Sequence, residues 1–412
     1  MESTRRIHAL LNSLRQKTGH IHLDLKSAVQ YLCDCYHGAV GNESINEHNV
    51  NEPFETVNTL KAVLNDANRK TGKNHADVTS AMQTLCNGYL TQTPMYSFGL
   101  VSDIHLQYVT GIADFQRALA YFEKQNIPFS CVCGDLTQAG KMVNTEQYTT
   151  EWKGGLEDYK DIVGDNTLYA IGGNHECYTA NYDAETGQWN TADLGLDIDF
   201  WRANTGLDPF YTVSSQSANA TTHNLYNPIL PDTDVFIMLS IKKASAPNLF
   251  FTEEDGEDEF AWLQNTLEAN KNKRCYVFFH EHDNLDKTAD PFGAYPYGIS
   301  EDTVQGRAFI DLMRQYPNLI WFHGHTHNTF EADRYSAASA TARGYKSVNI
   351  PSLQGPRKFA EDGEFTVLIS EGYIVDVYET YIVLKALDFS TVSQDGTGTA
   401  RELECYVLDT TF

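Results

Sequence analysis

The chain has 412 residues, of which 42% are hydrophobic and 12% aromatic, as in globular rather than disordered proteins. Its formal net charge of −25 at pH 7 argues against a nucleic-acid-binding patch, because phosphate backbones require clustered lysine and arginine. The length allows two or three domains, or one large core with an appendage.

Neither the cysteines nor the apolar segments indicate a secreted or membrane protein. The eight cysteines do not form the two separated Cys-x-x-Cys pairs of a zinc site, and we expect reduced thiols. Residues 1–6 carry charge, but no apolar segment follows, so no signal peptide is predicted. No run of about 18 apolar residues occurs, so we expect synthesis in the cytoplasm and no membrane span.

Residues 1–92 contain an internal repeat and are predicted to form a separate helical module. Lys17-Thr18-Gly19 recurs as Lys70-Thr71-Gly72, and the same offset relates His22 to His75 and Cys33 to Cys86. The copies cover residues 8–37 and 61–90, each a pair of short helices around a Thr-Gly turn. Duplicated helical units favour an attachment function.

The repeat resembles short modules on tail-associated proteins of phages that infect Gram-positive hosts. The resemblance implies association with a virion. We therefore expect residues 1–92 to mediate a homo-oligomer or a larger assembly.

From residue 93 the pattern changes to alternating strands and helices, which predicts one domain over residues 93–412. Short apolar runs end in polar residues that can bind metal, namely Asp103, His105, Asp135, Asn174, His280, His325 and His327. Because ligands bind at the carboxyl ends of strands in open α/β sheets, we expect these side chains to lie along one edge.

The motifs Asp103-Ile104-His105, Gly134-Asp135, Gly173-Asn174-His175-Glu176, His280 and Gly324-His325-Thr326-His327, in that order, resemble the calcineurin-like metallophosphoesterase superfamily. The resemblance covers residues 96–389 and implies an α/β fold, a four-layer αββα sandwich of two mixed sheets. It also implies a dinuclear metal centre that hydrolyses phosphate esters, with the ions bridged by Asp135. By the same resemblance, Asp103, His105 and His327 complete one metal site, and Asn174, His280 and His325 complete the other.

Two metal ions would lower the pKa of a bound water and neutralise phosphate oxygens. Imidazole and carboxylate ligands suit Mn, Fe, Zn and Ni alike, so the residues do not distinguish divalent from trivalent ions.

Three residues beside the ligands have other predicted roles. The family pattern places His175 outside the coordination shell, facing the leaving group as a proton donor. Glu176 either offsets the disfavoured charge of His175 or accepts hydrogen bonds from the backbone, which we favour. His282 competes with His280 as a ligand, and the strand-end position favours His280.

Helical spacing predicts helices over residues 112–125, 148–162 and 258–270, and a buried strand over residues 235–239. The long polar range 182–232 is predicted to be a cap on the substrate side, with an ordinary surface insertion as the alternative. The β-branched and aromatic run over residues 373–384 predicts antiparallel strands.

The subfamily motifs favour a phosphodiesterase over a monoesterase. Gln138 occupies the position where purple acid phosphatases carry a tyrosine, and the residues after Asp135 lack the Val-Asp-Arg-Gly run of protein Ser/Thr phosphatases. A virion-associated diesterase would act on a glycerol-phosphate or teichoic-type cell-wall polymer. The alternatives are a cytoplasmic nucleotide or cyclic-nucleotide phosphoesterase, and a non-catalytic structural or binding protein that keeps the fold.

Overall fold

A computed structural model describes the chain from residue 93 onward, with gaps. The described residues are 93–106, 110–137, 159, 161–164, 166–177, 181–183, 188–190, 195–216, 223–242, 258–282, 299, 301, 303–330, 344–354, 357–359, 365–367 and 370–410. The predicted repeats in residues 1–92 and most of the predicted helix over 148–162 lie outside them.

The chain divides into two compact units. One comprises Met1–Met95, Asp376–Lys385 and Glu402–Asp409, and the other comprises Tyr96–Val375, Ala386–Arg401 and Thr410–Phe412. All the predicted site residues belong to the second unit.

Strands and helices alternate through the described residues. In chain order they are β1 (Tyr96–Val101), α1 (Gly111–Lys124), β2 (Ser130–Cys133), β3 (Leu168–Ile171), a 3-10 helix (Asn174–Glu176), β4 (Asn181–Asp183), β5 (Gln188–Asn190), α2 (Ile198–Thr205), β6 (Phe210–Ser214), β7 (Asn224–Tyr226), β8 (Asp234–Leu239), α3 (Glu259–Ala269), β9 (Arg274–Phe279), α4 (Val304–Gln315), β10 (Leu319–His323), β11 (Ser347–Asn349), β12 (Arg357–Phe359), β13 (Phe365–Val367), β14 (Glu371–Val377), β15 (Tyr381–Asp388) and β16 (Arg401–Asp409).

Two six-stranded sheets form the scaffold, as the αββα resemblance implies. The first has the order β16-β15-β14-β1-β2-β3, and the second has the order β11-β10-β9-β8-β6-β7. β1, β2 and β3 pair in parallel, whereas only residues 378–380 connect β14 to β15, a length that requires antiparallel neighbours. In the second sheet β8, β9, β10 and β11 are parallel, and β6 runs antiparallel to β8. Both sheets are therefore mixed.

Aromatic side chains pack between the central strands of the two sheets. Phe98 on β1 meets Phe236 on β8 edge-on at 5.1 Å between ring centroids, and Tyr276 on β9 at 6.0 Å. Phe129 also meets Phe236, at 5.6 Å. Because these rings are buried and contact one another across the sheets, they hold β1 close to β8 and β9.

Helix N-termini are capped by side chains where the sequence offers them. Asp197, Asp258 and Thr303 accept hydrogen bonds from the third residue beyond each, at the starts of α2, α3 and α4. The predicted helices over 112–125 and 258–270 are present as α1 and α3, and the predicted strand over 235–239 is present as β8.

The range 182–232 is more ordered than a long loop. Its described residues include α2, β6 and β7, and the last two strands extend the second sheet beyond β8. Whether the remainder covers a substrate stays a prediction. None of the helices in the described residues is long and apolar enough to cross a membrane.

Candidate metal centre

The predicted ligands meet where the strands end, because parallel strands direct their carboxyl ends to the same edge. Asp103 and His105 follow β1, Asp135 follows β2, and Asn174 begins the 3-10 helix after β3. From the second sheet, His280 follows β9, while His325 and His327 follow β10. The structure thus brings together all seven residues that the sequence nominated.

Backbone strain is concentrated at these residues. Six non-glycine residues in the described chain have a positive φ, and five of them are predicted ligands: Asp103 (52°), His105 (47°), Asp135 (51°), His325 (70°) and His327 (54°). Non-glycine residues rarely adopt the left-handed region, and such strain clusters at functional sites. The turns therefore hold ligand side chains in directions that an ordinary strand end would not.

One group of ligand atoms comprises Asp103, His105, Asp135 and His327, all within 4.8 Å of one another. The Nε2 atoms of His105 and His327 lie 2.9 Å apart, and His327 Nε2 lies 3.2 Å from Asp103 Oδ1. His105 Nε2 lies 3.8 Å from Asp135 Oδ2.

A second group comprises Asp135, His280 and His325, again within 4.8 Å. His280 Nε2 lies 3.2 Å from Asp135 Oδ2, and His325 Nδ1 lies 2.8 Å from the amide oxygen of Asn174. Asp135 is common to both groups, so its carboxylate lies where a bridging ligand is needed.

Backbone carbonyls set the tautomers of two histidines. His280 donates from Nδ1 to the carbonyl of Cys133 at 2.5 Å, and His105 donates from Nδ1 to that of Thr137 at 3.3 Å. A neutral imidazole that donates from Nδ1 keeps its lone pair on Nε2. Both Nε2 atoms therefore face the cluster and offer a lone pair to it when the imidazole is neutral.

His175 lies beside the cluster rather than within either group. Its Nε2 is 3.9 Å from Asp135 Oδ2, and its ring meets the His105 ring edge-on at 4.7 Å. Its backbone N–H donates to Asp135 Oδ1 at 2.9 Å. The main chain of His175 thus holds Asp135, and its imidazole lies beside the same carboxylate.

Glu176 accepts hydrogen bonds from the loops that carry the ligands. Its carboxylate accepts from the backbone N–H of Asp135 (3.1 Å), Thr137 (2.8 Å) and Gly173 (2.7 Å), and from the Thr137 hydroxyl (3.2 Å). Burial, reinforced by Asp135, raises the pKa of Glu176 to about 7, while the N–H donors oppose the shift. The backbone role favoured by the sequence is the one observed.

Two glycines allow the loops to approach closely. A Cβ on Gly173 would overlap the Asp135 carboxylate and lie 2.9 Å from the His280 ring. A Cβ on Gly324 would overlap the Ser102 hydroxyl and lie 2.5 Å from Asp103 Oδ2. Any larger residue would displace a predicted ligand.

The charges of the cluster suit a cation. Burial would raise the pKa values of Asp103 and Asp135, but neighbouring histidines outweigh it and hold both below their usual range. Burial, with neighbouring histidines, lowers the pKa values of His105 and His325 well below normal, which keeps them neutral. Burial lowers the pKa of His280 less than Asp135 and Asp103 raise it, giving about 10. A cation must therefore displace the His280 proton.

The residues present fit a metal centre. Asp103 and Asp135 are fully buried, and in the described part of the chain their ion-pair partners are histidines only. Buried carboxylates require compensation by cations or hydrogen bonds, and nitrogen and oxygen ligands bind divalent metals. We assign Asp103, His105, Asp135 and His327 to one ion, and Asp135, Asn174, His280 and His325 to the other; these assignments remain predictions.

Three further residues complete the picture around the second group. His323 bonds through Nε2 to the Ser347 hydroxyl at 2.8 Å and so serves packing. The His282 ring stacks on His325 at 5.5 Å, and His282 groups with Glu281 and His325, whereas His280 groups with Asp135. Sequence reasoning missed Glu281, a buried carboxylate 3.7 Å from His325 Nε2. Its position between two histidines was the one available signal.

Comparison with known proteins agrees with this site. The family described as calcineurin-like phosphoesterase matches residues 96–329, more than half of the chain. The chain belongs to this family. The enzyme class expected from the sequence, a metallophosphoesterase, is confirmed, and the family uses divalent metal ions.

Two solved structures show a distant similarity to this phosphoesterase. A dimetal phosphatase of Danio rerio is 12% identical, covers 77% of this chain and all of its own, and has a TM-score of 0.44. GAP50, the anchor in the inner membrane complex of Plasmodium, is 11% identical, covers 77% of this chain and 89% of its own, and has a TM-score of 0.44. No curated protein sequence matches the chain.

Proposed function

We propose that this phosphoesterase is a phosphodiesterase that uses two divalent cations bridged by Asp135. The observation that carries the proposal is the position of the Asp135 carboxylate within both groups of ligand atoms. Two cations held this close would supply an activated water and would neutralise the charge of the phosphate.

The protein's own residues would orient the metal ligands and protonate the leaving group. The backbone N–H of His175 holds Asp135 Oδ1 at 2.9 Å, which fixes the direction of the bridging carboxylate. The His175 imidazole lies 3.9 Å from Asp135 Oδ2, beside the proposed bridge, and would give a proton to the departing ester oxygen. Asn174 Oδ1 and His325 Nδ1, which lie 2.8 Å apart, would both hold the second cation.

The preference for a diester rests on sequence. Thr137 ends the Gly-Asp-Leu-Thr motif typical of the phosphodiesterase-like branch, and its hydroxyl donates to Glu176. A glycerol-phosphate or teichoic-type polymer is the substrate that follows if residues 1–92 attach the enzyme to a virion. A small nucleotide or cyclic nucleotide is the alternative if they do not.

Turnover by the metal-depleted full chain, reloaded with Mn²⁺, Zn²⁺ or Fe²⁺ in turn, tests the proposal. Bis-(p-nitrophenyl) phosphate should be hydrolysed faster than the p-nitrophenyl monoester with at least one metal. A faster monoester reaction would favour a monoesterase, and no turnover with any metal would support a non-catalytic protein.

Asp135→Asn tests the bridge. The amide lacks the negative charge shared by the two ions, so we expect turnover to fall to background and fewer than two ions to bind per chain by elemental analysis. Asp311→Asn, on the exposed face of α4, is the matched control and should retain both. Two ions in Asp135→Asn would contradict the bridging role.

A further inference from the structure

Glu281 is a buried carboxylate with no function in the scheme above. It follows His280 at the end of β9, and only 2% of its surface is exposed. Among the described residues, its Oε2 has no hydrogen-bond partner. A buried carboxylate oxygen without a donor is costly, so it requires an explanation.

A possible donor for Glu281 Oε2 is Nε2 of His325, which lies 3.7 Å away. That distance is roughly 0.7 Å longer than an ordinary hydrogen bond. On the opposite side of the same ring, Nδ1 lies 2.8 Å from the Asn174 amide oxygen. The imidazole therefore stands between a carboxylate and the amide of a predicted ligand.

The two ring nitrogens cannot have the same role in a neutral imidazole. One carries the proton and the other carries the lone pair, and the hydrogen bond made by one decides the state of the other. A carboxylate facing Nε2 selects the proton there, which leaves the lone pair on Nδ1, beside Asn174. Carboxylates that bond to ligating histidines raise their basicity and fix their orientation.

We propose that Glu281 is a positioning residue that accepts from His325 Nε2 and directs Nδ1, together with Asn174, toward the second cation. The inference rests on the dinuclear metal site of the proposed function. It assigns to Glu281 an effect on the affinity of the second cation rather than the first, because His325 belongs to the second ligand group and not to the first.

A third metal site at Glu281, His282 and His325 is the competing explanation, because their ligand atoms also lie within 4.8 Å of one another. The rings of His282 and His325 are stacked, with an interplanar angle of 21°. Nitrogen lone pairs lie in the ring plane, so two nearly parallel rings do not aim them at one point. His325 Nδ1 is also already engaged with Asn174.

Titration calorimetry of the metal-depleted full chain with Mn²⁺ distinguishes the positioning role of Glu281 from a third metal site. Wild-type protein should bind two ions. Glu281→Ala should weaken one of them by about 10–100-fold and leave the other within about twofold. Glu281→Gln keeps an acceptor oxygen of the same size without the charge, and should recover part of the loss.

Glu268→Gln is the control for loss of one negative charge, since Glu268 is exposed on α3 and pairs with Lys271. It should bind both ions as the wild type does. Thermal unfolding of each variant separates misfolding from loss of affinity, and Glu281→Gln carries the test if Glu281→Ala does not fold.

Three results would overturn the proposal. If folded Glu281→Ala binds both ions with wild-type affinity, or binds both equally more weakly, then Glu281 does not act selectively on one cation. Three ions in the wild type and two in Glu281→Ala would establish the third site instead. Failure of the proposed function is distinguishable, because the wild type would then bind no pair of ions and would hydrolyse neither ester.

Discussion

At the scale of single residues, the proposed function divides proton transfer and metal binding between neighbours in the chain. The amide oxygen of Asn174 lies 2.8 Å from His325 Nδ1 of the second ligand group, while the backbone N–H of the next residue, His175, donates to Asp135 Oδ1. Because the imidazole of His175 makes no contribution to either group, its removal should affect catalysis and not metal content.

His175→Ala should therefore bind two metals and lose about 10²–10⁴-fold in kcat, the usual contribution of a general acid. The loss should be greatest for alkyl esters, whose leaving groups need a proton, and smallest for p-nitrophenyl esters. Elemental analysis and kcat on both ester types check it. His223→Ala, whose ring packs on Phe210, is the control. A variant that loses a metal would make His175 a ligand.

Glu176 determines the shape of the loops rather than the chemistry. One of its oxygens accepts from Asp135 and Gly173 and the other from Thr137, so a glutamine must turn an NH₂ group toward N–H donors. Glu176→Gln should lose about 2 kcal/mol or more of stability. Metal affinity should fall as Asp135 moves.

Denaturant titration and calorimetry measure the two effects of Glu176→Gln. If the variant is as stable as the wild type but binds metal more weakly, then Glu176 acts on the electrostatics of the metal cluster. A destabilised variant with unchanged metal affinity would show that the Asp135 loop keeps its shape without the carboxylate.

At the scale of elements, the ends of strands could be predicted and their geometry could not. Apolar runs followed by Asp or His identified the predicted ligands after β1, β2 and β10, because residue type alone indicates both a buried strand and a side chain that can bind metal. The positive φ of Asp103, Asp135 and His325 could not be foreseen, because ordinary propensities disfavour it and only tertiary contacts enforce it. The approach of Glu281 to His325 joins the ends of separate strands, and the two histidines beside Glu281 do not reveal it.

The turn after β10 depends on Gly324. Its backbone N–H donates to the His280 carbonyl at 3.1 Å, and the next N–H, of His325, lies 3.2 Å from both carboxylate oxygens of Asp103. An added methyl would press on Ser102 and Asp103, where the loops from the two sheets meet.

Gly324→Ala should destabilise the protein by about 1–3 kcal/mol, the usual cost of overpacking, and should weaken the cation held by Asp103. Gly195→Ala is the matched control, because among the described residues its added Cβ would meet only the Lys242 carbonyl, at 3.7 Å. Thermal unfolding and metal titration of both variants test this prediction. Equal stability and equal metal affinity of the two variants would show that the turn after β10 accommodates a methyl group without strain.

At the scale of the whole molecule, the order of the strands could be anticipated only by resemblance. Periodicity predicts that β8 is a buried strand, but it does not reveal that β6 and β7 extend the same sheet from within a polar range. Strand pairing depends on long-range contacts, whereas the pattern of β6 and β7 is short and interrupted. The range 182–232 therefore contains strands that its composition did not predict, and its function as a cap stays a prediction.

Besides the aromatic rings, a buried polar network joins the two sheets. Asp234, at the start of β8, is fully buried and lies 3.0 Å from Arg274 Nη2 on β9. The hydroxyl of Tyr96, on β1 of the other sheet, donates to Asp234 Oδ2 at 2.6 Å. Arg274 also donates to the Thr410 hydroxyl at 3.0 Å. A carboxylate at this position therefore satisfies groups from both sheets.

Asp234→Ala should cost about 3–5 kcal/mol of stability, because it leaves the Arg274 guanidinium buried without its counter-ion. The melting temperature should fall by roughly 10 °C. The double variant Asp234→Leu with Arg274→Met should recover much of the loss, since apolar pairs often replace buried ion pairs without penalty. Thermal unfolding of the three chains tests this, with metal content as the check on the site. If the double variant is no better than Asp234→Ala, the network stabilises the protein through the hydrogen bonds to Tyr96 and Thr410 rather than through charge compensation.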